Sequence, residues 1–322
     1  MGEQIATVVK NAGSHYLLSE LPQWQLFPAV LRGKIRLKAS EITNPIAVGD
    51  RVRYEWVADG SAPFAADVPS TGRRAVITEI LPRRNYLIRR STNLSRQAHI
   101  IAANVDRAYL IVSLYFPEVK LPFLDRILVT CELYGIPATI VLTKTDLYRE
   151  AAPEEIARFR SIYESAGYPV IETSVLSGEG IGQIREECRG KVNLFSGESG
   201  VGKSSLIKAL DPSLDPKIGS ISAAHLQGKH TTSLYEMYPL SEGGYVIDSP
   251  GIRGFGLVDV EKEEIARYFP EMLLAAEGCR FTPCTHTHEP GCAVKAAVDE
   301  GRIAPERYNS YLGMLEEDKK FR

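Results

Sequence analysis

The amino-acid sequence predicts a multidomain protein with an N-terminal β-barrel, a central α/β domain and a short, mainly α-helical C-terminal domain that binds a metal. Three observations carry this prediction. Short β-type runs between turn residues fill the first part of the chain, strands and helices alternate through the middle, and three of the five cysteines fall within fourteen residues near the C-terminus. These patterns are typical of a barrel, of a mainly parallel sheet and of a metal site, respectively. We expect the domains to span residues 1–88, 89–268 and 269–322.

Length and composition exclude several classes of protein. A chain of 322 residues is long enough for two or three cores, and 44% hydrophobic with 24% charged residues is ordinary for a globular protein. The start, MGEQIATVVK, has neither the basic leader nor the apolar core of a signal peptide, and Ala6 stands where a myristoylation signal needs Ser or Thr. The best apolar run, residues 108–116, is too short to cross a bilayer. We therefore expect a cytoplasmic protein with no membrane partner.

The N-terminal domain is expected to contain five strands. The β-type runs are residues 5–10, 15–20, 29–39, 48–57 and 74–81. Little helical periodicity separates them, and turn residues bound each run. Five short strands in this length fit a small barrel such as the OB-fold.

Charge is distributed unevenly along the chain. Residues 1–100 carry a net charge of +6, and the remaining residues carry −8. Within the third β-type run, four cations alternate with apolar residues and so fall on one face of a strand: Arg32, Lys34, Arg36 and Lys38. A solvated strand face and a surface that binds the phosphates of RNA are equally consistent with this pattern. The sequence alone leaves both interpretations open.

The central domain is expected to be built around a mainly parallel sheet. Six segments have the apolar character of strands: residues 107–113, 137–142, 169–173, 191–196, 233–239 and 244–248. Amphipathic helices separate the first four, and one of them, residues 153–166, has Pro153 early and Gly167 just past its end. Cys131 and Cys188 lie in helical patterns, where we expect them to be buried as small apolar residues.

A phosphate-binding loop is expected directly after the fourth of these strands. Gly197, Gly202, Lys203 and Ser204 satisfy the pattern G-x-x-x-x-G-K-[ST], between the apolar strand KVNLF and the helix SSLIKAL. The glycines let backbone N–H groups surround phosphates, Lys203 reaches the β- and γ-phosphates, and the Ser204 hydroxyl binds Mg²⁺. The dipole of the following helix also favours phosphate. This context makes a chance glycine-rich turn a poor explanation of the pattern.

A second segment, TKTD at residues 143–146, follows the apolar strand PATIVL, where GTPases carry the motif that recognises guanine. On its own, TKTD would be better explained as a strand followed by a helix N-cap, and the neighbouring motifs favour the guanine interpretation. Asp146 can accept two hydrogen bonds from the N1–H and N2–H₂ groups of guanine, which adenine does not offer, and the stem of Lys144 can pack over the base. Thr143 stands where GTPases usually carry Asn, so a side-chain amide is lost and we expect a weaker preference for guanine. Ser174, in the segment ETSVLSGEG, matches a loop whose backbone contacts guanine O6.

The segment VIDSPG at residues 246–251 is expected to complete the site. Asp248 would hold Mg²⁺ through a water molecule, and the N–H of Gly251 would contact the γ-phosphate. The next residue is Ile252, where many GTPases carry the Gln that orients the attacking water. An apolar side chain cannot orient water, so another group must do so.

A segment rich in helix-breaking residues lies between these motifs and is expected to be a switch loop. It contains GKHTTS at residues 228–233, where Thr231 or Thr232 can complete the Mg²⁺ shell. His230 is the candidate for positioning the water. Without the neighbouring motifs, a loop histidine with no chemical role would be the better interpretation.

The motifs follow one another in an unusual order. The base motifs come first, at 143 and 174, and the phosphate loop, the switch loop and D-x-P-G follow at 197, 228 and 248. Joining the ends of an ordinary GTPase sheet and opening the chain elsewhere gives this order and leaves the pocket intact. In this order, in RGKIR, VGDRV and ANVD, and in the C-terminal cysteines, the sequence resembles the circularly permuted, ribosome small-subunit-dependent GTPase A family, also called RsgA or YjeQ.

The resemblance covers nearly the whole chain, and it implies both an architecture and an activity. The implied architecture is an OB-fold that contacts ribosomal RNA, a P-loop GTPase domain with circularly permuted motifs, and a zinc-binding domain. The implied activity is hydrolysis of GTP to GDP and phosphate, accelerated when the protein binds the small (30S) ribosomal subunit late in its assembly and followed by dissociation. We expect the protein to be a monomer.

The resemblance also assigns roles to residues. It implies that His230 is catalytic, and it favours Thr232 over Thr231 as the Mg²⁺ ligand. The expected Mg²⁺ ligands are therefore Ser204, Thr232 and Asp248. The residues expected to bind GTP are Thr143, Lys144, Thr145, Asp146, Ser174, Ser196, Gly197, Glu198, Ser199, Gly200, Val201, Gly202, Lys203, Ser204, Ser205 and Gly251.

The C-terminal cluster has the spacing of a metal site. Cys279, Cys284, His286 and Cys292 follow the pattern C-x4-C-x-H-x5-C, and three thiolates with one imidazole suit a closed, structural Zn²⁺ site. His288 is an alternative ligand by residue type, whereas the family pattern points to His286. So short a segment has little core of its own, so we expect removal of zinc to unfold it.

Two alternatives to a ribosome-activated GTPase remain at this stage. One is an RNA-holding factor whose pocket senses GTP or GDP and whose hydrolysis is incidental. The other is an ATPase or kinase that uses the same phosphate loop, and Asp146 argues against it because adenine offers that carboxylate no matching pair of donors.

Overall fold

The computed structural model describes residues 4–12, 15–32, 46–58, 73–90, 98–214, 235–249 and 260–317. The strands are β1 Ile5–Ala12, β2 His15–Ser19, β3 Phe27–Leu31, β4 Arg51–Ala58, β5 Arg73–Ile80, β6 Tyr86–Arg90, β7 Ala98–Ala103, β8 Arg107–Val112, β9 Ala138–Leu142, β10 Val170–Glu172, β11 Val192–Gly197, β12 Glu236–Pro239 and β13 Tyr245–Asp248. The α-helices are α1 Leu121–Leu133, α2 Thr145–Tyr148, α3 Pro153–Glu164, α4 Ile181–Cys188, α5 Lys203–Leu210, α6 Pro270–Ala276, α7 Ala293–Asp299 and α8 Pro305–Glu317, and a 3-10 helix spans Lys262–Tyr268. No helix in these ranges is both long and apolar enough to cross a membrane.

Strands β1 to β5 form the barrel that the sequence predicts. They follow the order β1-β2-β3-β5-β4, and β4 pairs back with β1, which closes the sheet. Alternate side chains point inward because successive residues of a strand face opposite sides. Val8, Leu18, Val52 and Ile77 are fully buried in this core. The predicted five-stranded N-terminal barrel is therefore confirmed.

The central sheet has the order β10-β9-β8-β11-β13-β12. The first five strands are parallel to their neighbours, and only β12 is antiparallel, to β13. Alternation along β8 gives each face its own core: Leu110 packs on the side of α1 and α3, whereas Tyr109 and Ile111 pack on the side of α4 and α5. Cys131 and Cys188 are buried in α1 and α4, as predicted.

The barrel and the central sheet are one continuous sheet of eleven strands, which the sequence did not predict. The junction is an antiparallel pair of β1 with β12, in which Lys10 lies opposite Glu236. The Lys10 ammonium also lies 3.0 Å from the Glu236 carboxylate. Beside this pair, Trp24 of the barrel stacks on Tyr245 of β13 with ring centroids 5.8 Å apart. The barrel is thus attached to the strand that precedes β13.

A hairpin of β6 and β7 lies between the barrel and the central sheet, and the sequence analysis missed it. The predicted domain boundary at residue 88 falls inside β6, and the division into domains stays a prediction. The V-G-D-R-V segment packs against the hairpin. Gly49 has φ +91°, and a Cβ atom there would lie 2.0 Å from the Ala103 carbonyl oxygen, so only glycine fits. The buried Asp50 accepts hydrogen bonds of 2.6 and 2.7 Å from Arg83.

The A-N-V-D segment joins the same region to the phosphate loop strand. The Asn104 amide donates to the Gly49 carbonyl oxygen at 2.9 Å, and the Asp106 carboxylate accepts from the backbone N–H of Val192 at 2.8 Å. The V-G-D-R-V and A-N-V-D motifs, which contribute to the family resemblance, therefore both have a structural role at the junction between barrel and sheet.

The C-terminal elements form a separate core that packs on α1. Ile265 of the 3-10 helix, Met272, Val294 and Tyr311 are buried together with Val129 of α1. The 3-10 helix thus shares this core although it lies before the predicted boundary at residue 269. Helix α8 spans the segment PERYNSYLGMLEE, which agrees with the expectation of a mainly α-helical C-terminal domain.

A buried ion-pair network holds these elements on α1. The guanidinium of Arg307 donates to Asp125 of α1 at 2.7 Å and to Glu271 of α6 at 2.7 Å, and Arg307 and Asp125 are at most 1% exposed. The same guanidinium lies 4.6 Å from the ring centroid of Phe269. Burial by itself lowers the pKa of Arg307, but the two carboxylates raise it above its ordinary value, so the charge is retained.

We expect the substitution Arg307→Met to loosen the C-terminal elements, because it leaves two buried carboxylates without their cation. Removing one partner of a buried ion pair costs about 3–5 kcal/mol. Hydrogen–deuterium exchange of the α8 amides should therefore accelerate by roughly two orders of magnitude or more. Arg302→Met is the matched control, since Arg302 pairs with Glu300 on the surface. Equal protection in the two variants would contradict this assignment.

Candidate nucleotide site and metal centre

The predicted nucleotide motifs meet at one edge of the central sheet. Strands β8, β9, β10, β11 and β13 are parallel, so their carboxyl ends lie side by side. The base motif follows β9, the loop with Ser174 follows β10, the phosphate loop follows β11, and Asp248 ends β13. Because ligands of open α/β sheets bind at this edge, these segments form the candidate site.

The phosphate loop has the backbone that its glycines were expected to allow. Gly200 and Gly202 have φ values of +87° and +98°, which residues with a Cβ atom rarely adopt. A Cβ on Gly197 would lie 2.5 Å from the Ile111 carbonyl oxygen, so this glycine permits close contact with β8. Lys203 begins α5, whose N-terminus faces the loop. This loop can surround phosphate groups with backbone N–H donors.

Lys203 and Asp248 lie in contact in the structure. The buried Lys203 ammonium donates to the Asp248 carboxylate and to the Ser249 carbonyl oxygen. Ser204 follows in the first turn of α5 and is half-buried. The phosphate-binding lysine and two candidate oxygen ligands for Mg²⁺ are therefore adjacent, which fits the preference of Mg²⁺ for oxygen ligands near phosphates.

Two neighbouring residues of the base motif bind two neighbouring carbonyl groups of the phosphate loop. The Lys144 ammonium lies 2.7 Å from the Gly200 carbonyl oxygen, and the Thr143 hydroxyl lies 2.6 Å from that of Val201. Lys144 has φ +60°, which turns the chain sharply into α2. Asp146 lies in the first turn of α2 and is exposed, so it is accessible to a base.

The loop after β10 is fixed against α2. The backbone N–H and hydroxyl of Thr145 both donate to the Thr173 carbonyl oxygen, at 3.2 and 3.1 Å. Ser174 is buried, and its hydroxyl accepts from the Ser177 N–H at 3.2 Å. Gly180 has φ +71° and closes the loop onto β10. The two segments that were expected to contact guanine thus form one rigid unit.

Two residues at this edge were missed by the sequence analysis. Phe116 accepts a 2.6 Å hydrogen bond from the Lys144 ammonium through its carbonyl oxygen, while its side chain is 84% exposed. The Tyr148 hydroxyl donates to the Thr143 carbonyl oxygen. The dipeptide Phe116-Pro117 begins four residues after the end of β8, and nothing in its spacing indicated a contact with Lys144.

Several predicted residues cannot be placed. His230, Thr231, Thr232 and Gly251 lie outside the described residues. Of the four cations predicted to share a strand face, Lys34, Arg36 and Lys38 also lie outside them. The fourth, Arg32, forms an exposed ion pair with Glu55 at 2.8 Å.

The four predicted metal ligands converge in the C-terminal elements. The ligand atoms of Cys279, Cys284, His286 and Cys292 all lie within 4.8 Å of one another. Cys279 and Cys292 Sγ are 4.0 Å apart, and His286 Nδ1 lies 3.6 and 3.4 Å from them. A tetrahedral ion with metal–sulfur bonds of about 2.3 Å requires edges of roughly 3.5–3.8 Å. The cluster can therefore hold a metal ion with little movement. His288 is exposed and is not part of it.

Helix α8 and one carboxylate hold the loop that carries His286. The hydroxyls of Tyr308 and Tyr311 donate to the carbonyl oxygens of His286 and Thr285, both at 2.6 Å. Glu289 accepts from the Thr285 N–H at 2.7 Å. Burial opposes ionisation of Glu289, but the hydrogen bonds from Thr285 and its neighbours hold its pKa at about 2. The loop conformation is thus set by groups that are not themselves ligands.

Burial disfavours the charged forms of two of the four ligands, His286 and Cys284. Burial lowers the pKa of His286, so its imidazole is neutral at pH 7. Burial also raises the pKa of the Cys284 thiol to about 12. Binding of a divalent metal would therefore release thiol protons, as expected for a thiolate site.

Comparison with known proteins gives a consistent result. The family model of the RsgA GTPase matches residues 80–258. The Small ribosomal subunit biogenesis GTPase RsgA of Bacteroides fragilis is 46% identical over 98% of each chain, and its namesake from Porphyromonas gingivalis is 44% identical over 97% of this chain and 96% of its own.

Two solved structures agree. YjeQ from Thermotoga maritima superposes with a TM-score of 0.75 at 32% identity and covers 98% of each chain. YloQ, described as a circularly permuted GTPase, superposes with a TM-score of 0.69 at 26% identity over 100% of this chain and 96% of its own. The predicted fold class and the resemblance found in the sequence are confirmed, and the chain belongs to the RsgA GTPase family.

Proposed function

We propose that this protein is a GTP hydrolase that binds the small ribosomal subunit during the late steps of its assembly and leaves after hydrolysis. The observation that carries the proposal is the joining of the base motif to the phosphate loop through Thr143 and Lys144, which creates one pocket for base and phosphates. The relatives at 44–46% identity are named small ribosomal subunit biogenesis GTPases, which supports the subunit as the partner.

The roles of individual residues follow from this proposal. Asp146 reads guanine by accepting from N1–H and N2–H₂, and Lys203 binds the β- and γ-phosphates. Ser204, Thr232 and Asp248 would hold Mg²⁺, which neutralises phosphate charge when bound. His230 would orient the water that attacks the γ-phosphate, since Ile252 cannot.

Three further elements complete the proposal. The metal at the cysteine cluster is zinc, because three thiolates and one imidazole with no open position suit a structural Zn²⁺. The barrel, with Arg32 and its neighbouring cations, binds ribosomal RNA. The protein acts in the cytoplasm, where its partner is assembled, and it acts as a monomer.

The first test is GTP hydrolysis with and without purified small ribosomal subunits, with ATP as the parallel substrate. Turnover alone should be slow, on the order of 10⁻⁴ to 10⁻² s⁻¹, and small subunits should accelerate it by roughly a hundredfold or more. Large subunits are the control and should not stimulate. His230→Ala should lose the stimulation and stay bound to the subunit. Equal use of ATP, or no stimulation, would refute the proposal, and normal release of His230→Ala would favour a nucleotide sensor.

Asp146→Asn should change which base the protein binds. The amide can accept from only one of the two guanine donors, so we expect GDP to bind about a hundredfold more weakly. Xanthosine diphosphate, which has an acceptor in place of the 2-amino group, should bind more tightly than to the original protein. Fluorescent-nucleotide titration measures both, and Glu150→Gln, an exposed carboxylate four residues along, is the control. Unchanged preference for guanine would exclude Asp146 as the reader of the base.

Replacing His286 and His288 by Ala, one at a time, should show which of the two histidines binds zinc. His286→Ala should lose zinc, measured by elemental analysis after gel filtration, and its C-terminal elements should become sensitive to protease, because metal binding contributes to their folding. His288→Ala should keep about one zinc per chain, as in the original protein. Loss of zinc from His288→Ala alone would overturn the ligand assignment.

A further inference from the structure

The hydroxyl of Thr143 contacts the phosphate loop, at a position where GTPases usually carry Asn. Thr143 follows β9 and is 4% exposed. Its Oγ1 lies 2.6 Å from the Val201 carbonyl oxygen in the phosphate loop and 2.9 Å from the Val112 carbonyl oxygen at the end of β8. Its own backbone is fixed by the Tyr148 hydroxyl and by its N–H bond of 2.8 Å to Val112.

A hydroxyl group has one proton, and both of these neighbours are acceptors. Thr143 can therefore satisfy only one of the two carbonyl groups fully, and the shorter distance favours Val201. The donor capacity of the hydroxyl is then used within the protein. None of it is left for a base, so Thr143 contributes nothing to reading guanine.

The held carbonyl lies in the glycine-rich middle of the phosphate loop, at a residue whose side chain is buried in the core. Val201 lies between Gly200 and Gly202, which have positive φ values and no side chains. Among the described residues, the side chains that hydrogen-bond the carbonyl oxygens of Gly200 and Val201 are Lys144 and Thr143. The base motif thus fixes the middle of the phosphate loop at two successive peptides.

We propose that Thr143 is a positioning residue that sets nucleotide affinity by holding the Val201 peptide, while the choice of guanine depends on Asp146 alone. Loss of the hydroxyl leaves a buried carbonyl oxygen without its donor and releases the loop between its two glycines. The phosphate loop must then be ordered when nucleotide binds, which weakens every nucleotide equally, whatever its base. This inference rests on the proposed binding of guanine nucleotides.

The test compares Thr143→Val with Thr143→Ser in titrations with GDP and with inosine diphosphate, which lacks the 2-amino group that Asp146 contacts. Thr143→Val keeps the shape of the side chain and should weaken both nucleotides by about tenfold, so that their affinity ratio is unchanged. Thr143→Ser keeps the hydroxyl and should bind both within about twofold of the original protein. Asp146→Asn should change the ratio, which shows that the ratio reports on the base.

A matched control lies on the same strand. Thr139 is fully buried in β9, and its hydroxyl accepts a 3.0 Å hydrogen bond from Arg107, far from the phosphate loop. Thr139→Val removes an equally buried hydroxyl and should leave nucleotide affinity unchanged, although it also lowers stability.

Three results would overturn the inference. They are unchanged affinity in Thr143→Val, a changed ratio of GDP to inosine diphosphate in Thr143→Val, or equal weakening by Thr139→Val. If the original protein bound no GDP at all, the proposed function would fail together with this inference. Normal binding by the original protein with normal binding by Thr143→Val would refute this inference alone.

Discussion

The parallel pairing of β8, β9, β10, β11 and β13 is the constraint on which the site depends. Hydrogen bonds between parallel strands fix which residues lie level, and they place Gly197 beside Ile111 and Val112 beside Leu142. The loops after these strands therefore start at the same edge, whatever the order in which the chain visits the strands. This is why a nucleotide pocket survives permutation: the base motif reaches the phosphate loop by lateral contact across the sheet, through Thr143 and Lys144, and not by sequence proximity.

The same sheet explains how the barrel is attached. Its ion pair of Lys10 with Glu236 is partly exposed, and such pairs contribute at most about 1 kcal/mol. The barrel residue Leu17 lies in the same core cluster as Met237 and Ile247 of β12 and β13, and burial of one such side chain contributes about 1.5–3 kcal/mol. Strand pairing and shared burial therefore hold the barrel, and the ion pair adds a small contribution. Glu236 lies opposite Lys10 on one side and opposite Asp248 on the other, so the barrel is attached next to the candidate site.

Features set by local pattern were predictable from the sequence, and features set by long-range pairing were not. The apolar strands, the glycine-dependent phosphate loop and helix α8 are each encoded within a dozen residues. The pairing of β1 with β12 joins residues 226 positions apart, and no periodicity records it. Nothing in the sequence around Arg307 indicates that it is buried, and only the carboxylates of Asp125 and Glu271 make its burial favourable. Thr143 was recognised as a departure from Asn, but a sequence cannot show where its hydroxyl donates.

Helix α8 links the metal centre to the nucleotide domain through residues of consecutive turns. Arg307 fixes the helix to Asp125 of α1, while Tyr308 and Tyr311 hold the carbonyl groups of the loop that carries His286. A divalent metal bound to these four ligands would connect the two ends of the segment from Cys279 to Cys292 and so stabilise the loop between them. Since the loop contacts α8 and α8 packs on α1, a bound metal would stabilise the attachment of the C-terminal elements as well as the loop itself. Helix α1 begins shortly after β8, whose end contacts Thr143. The cysteine cluster is therefore connected to the edge of the pocket through α8 and α1, by packing and hydrogen bonds alone.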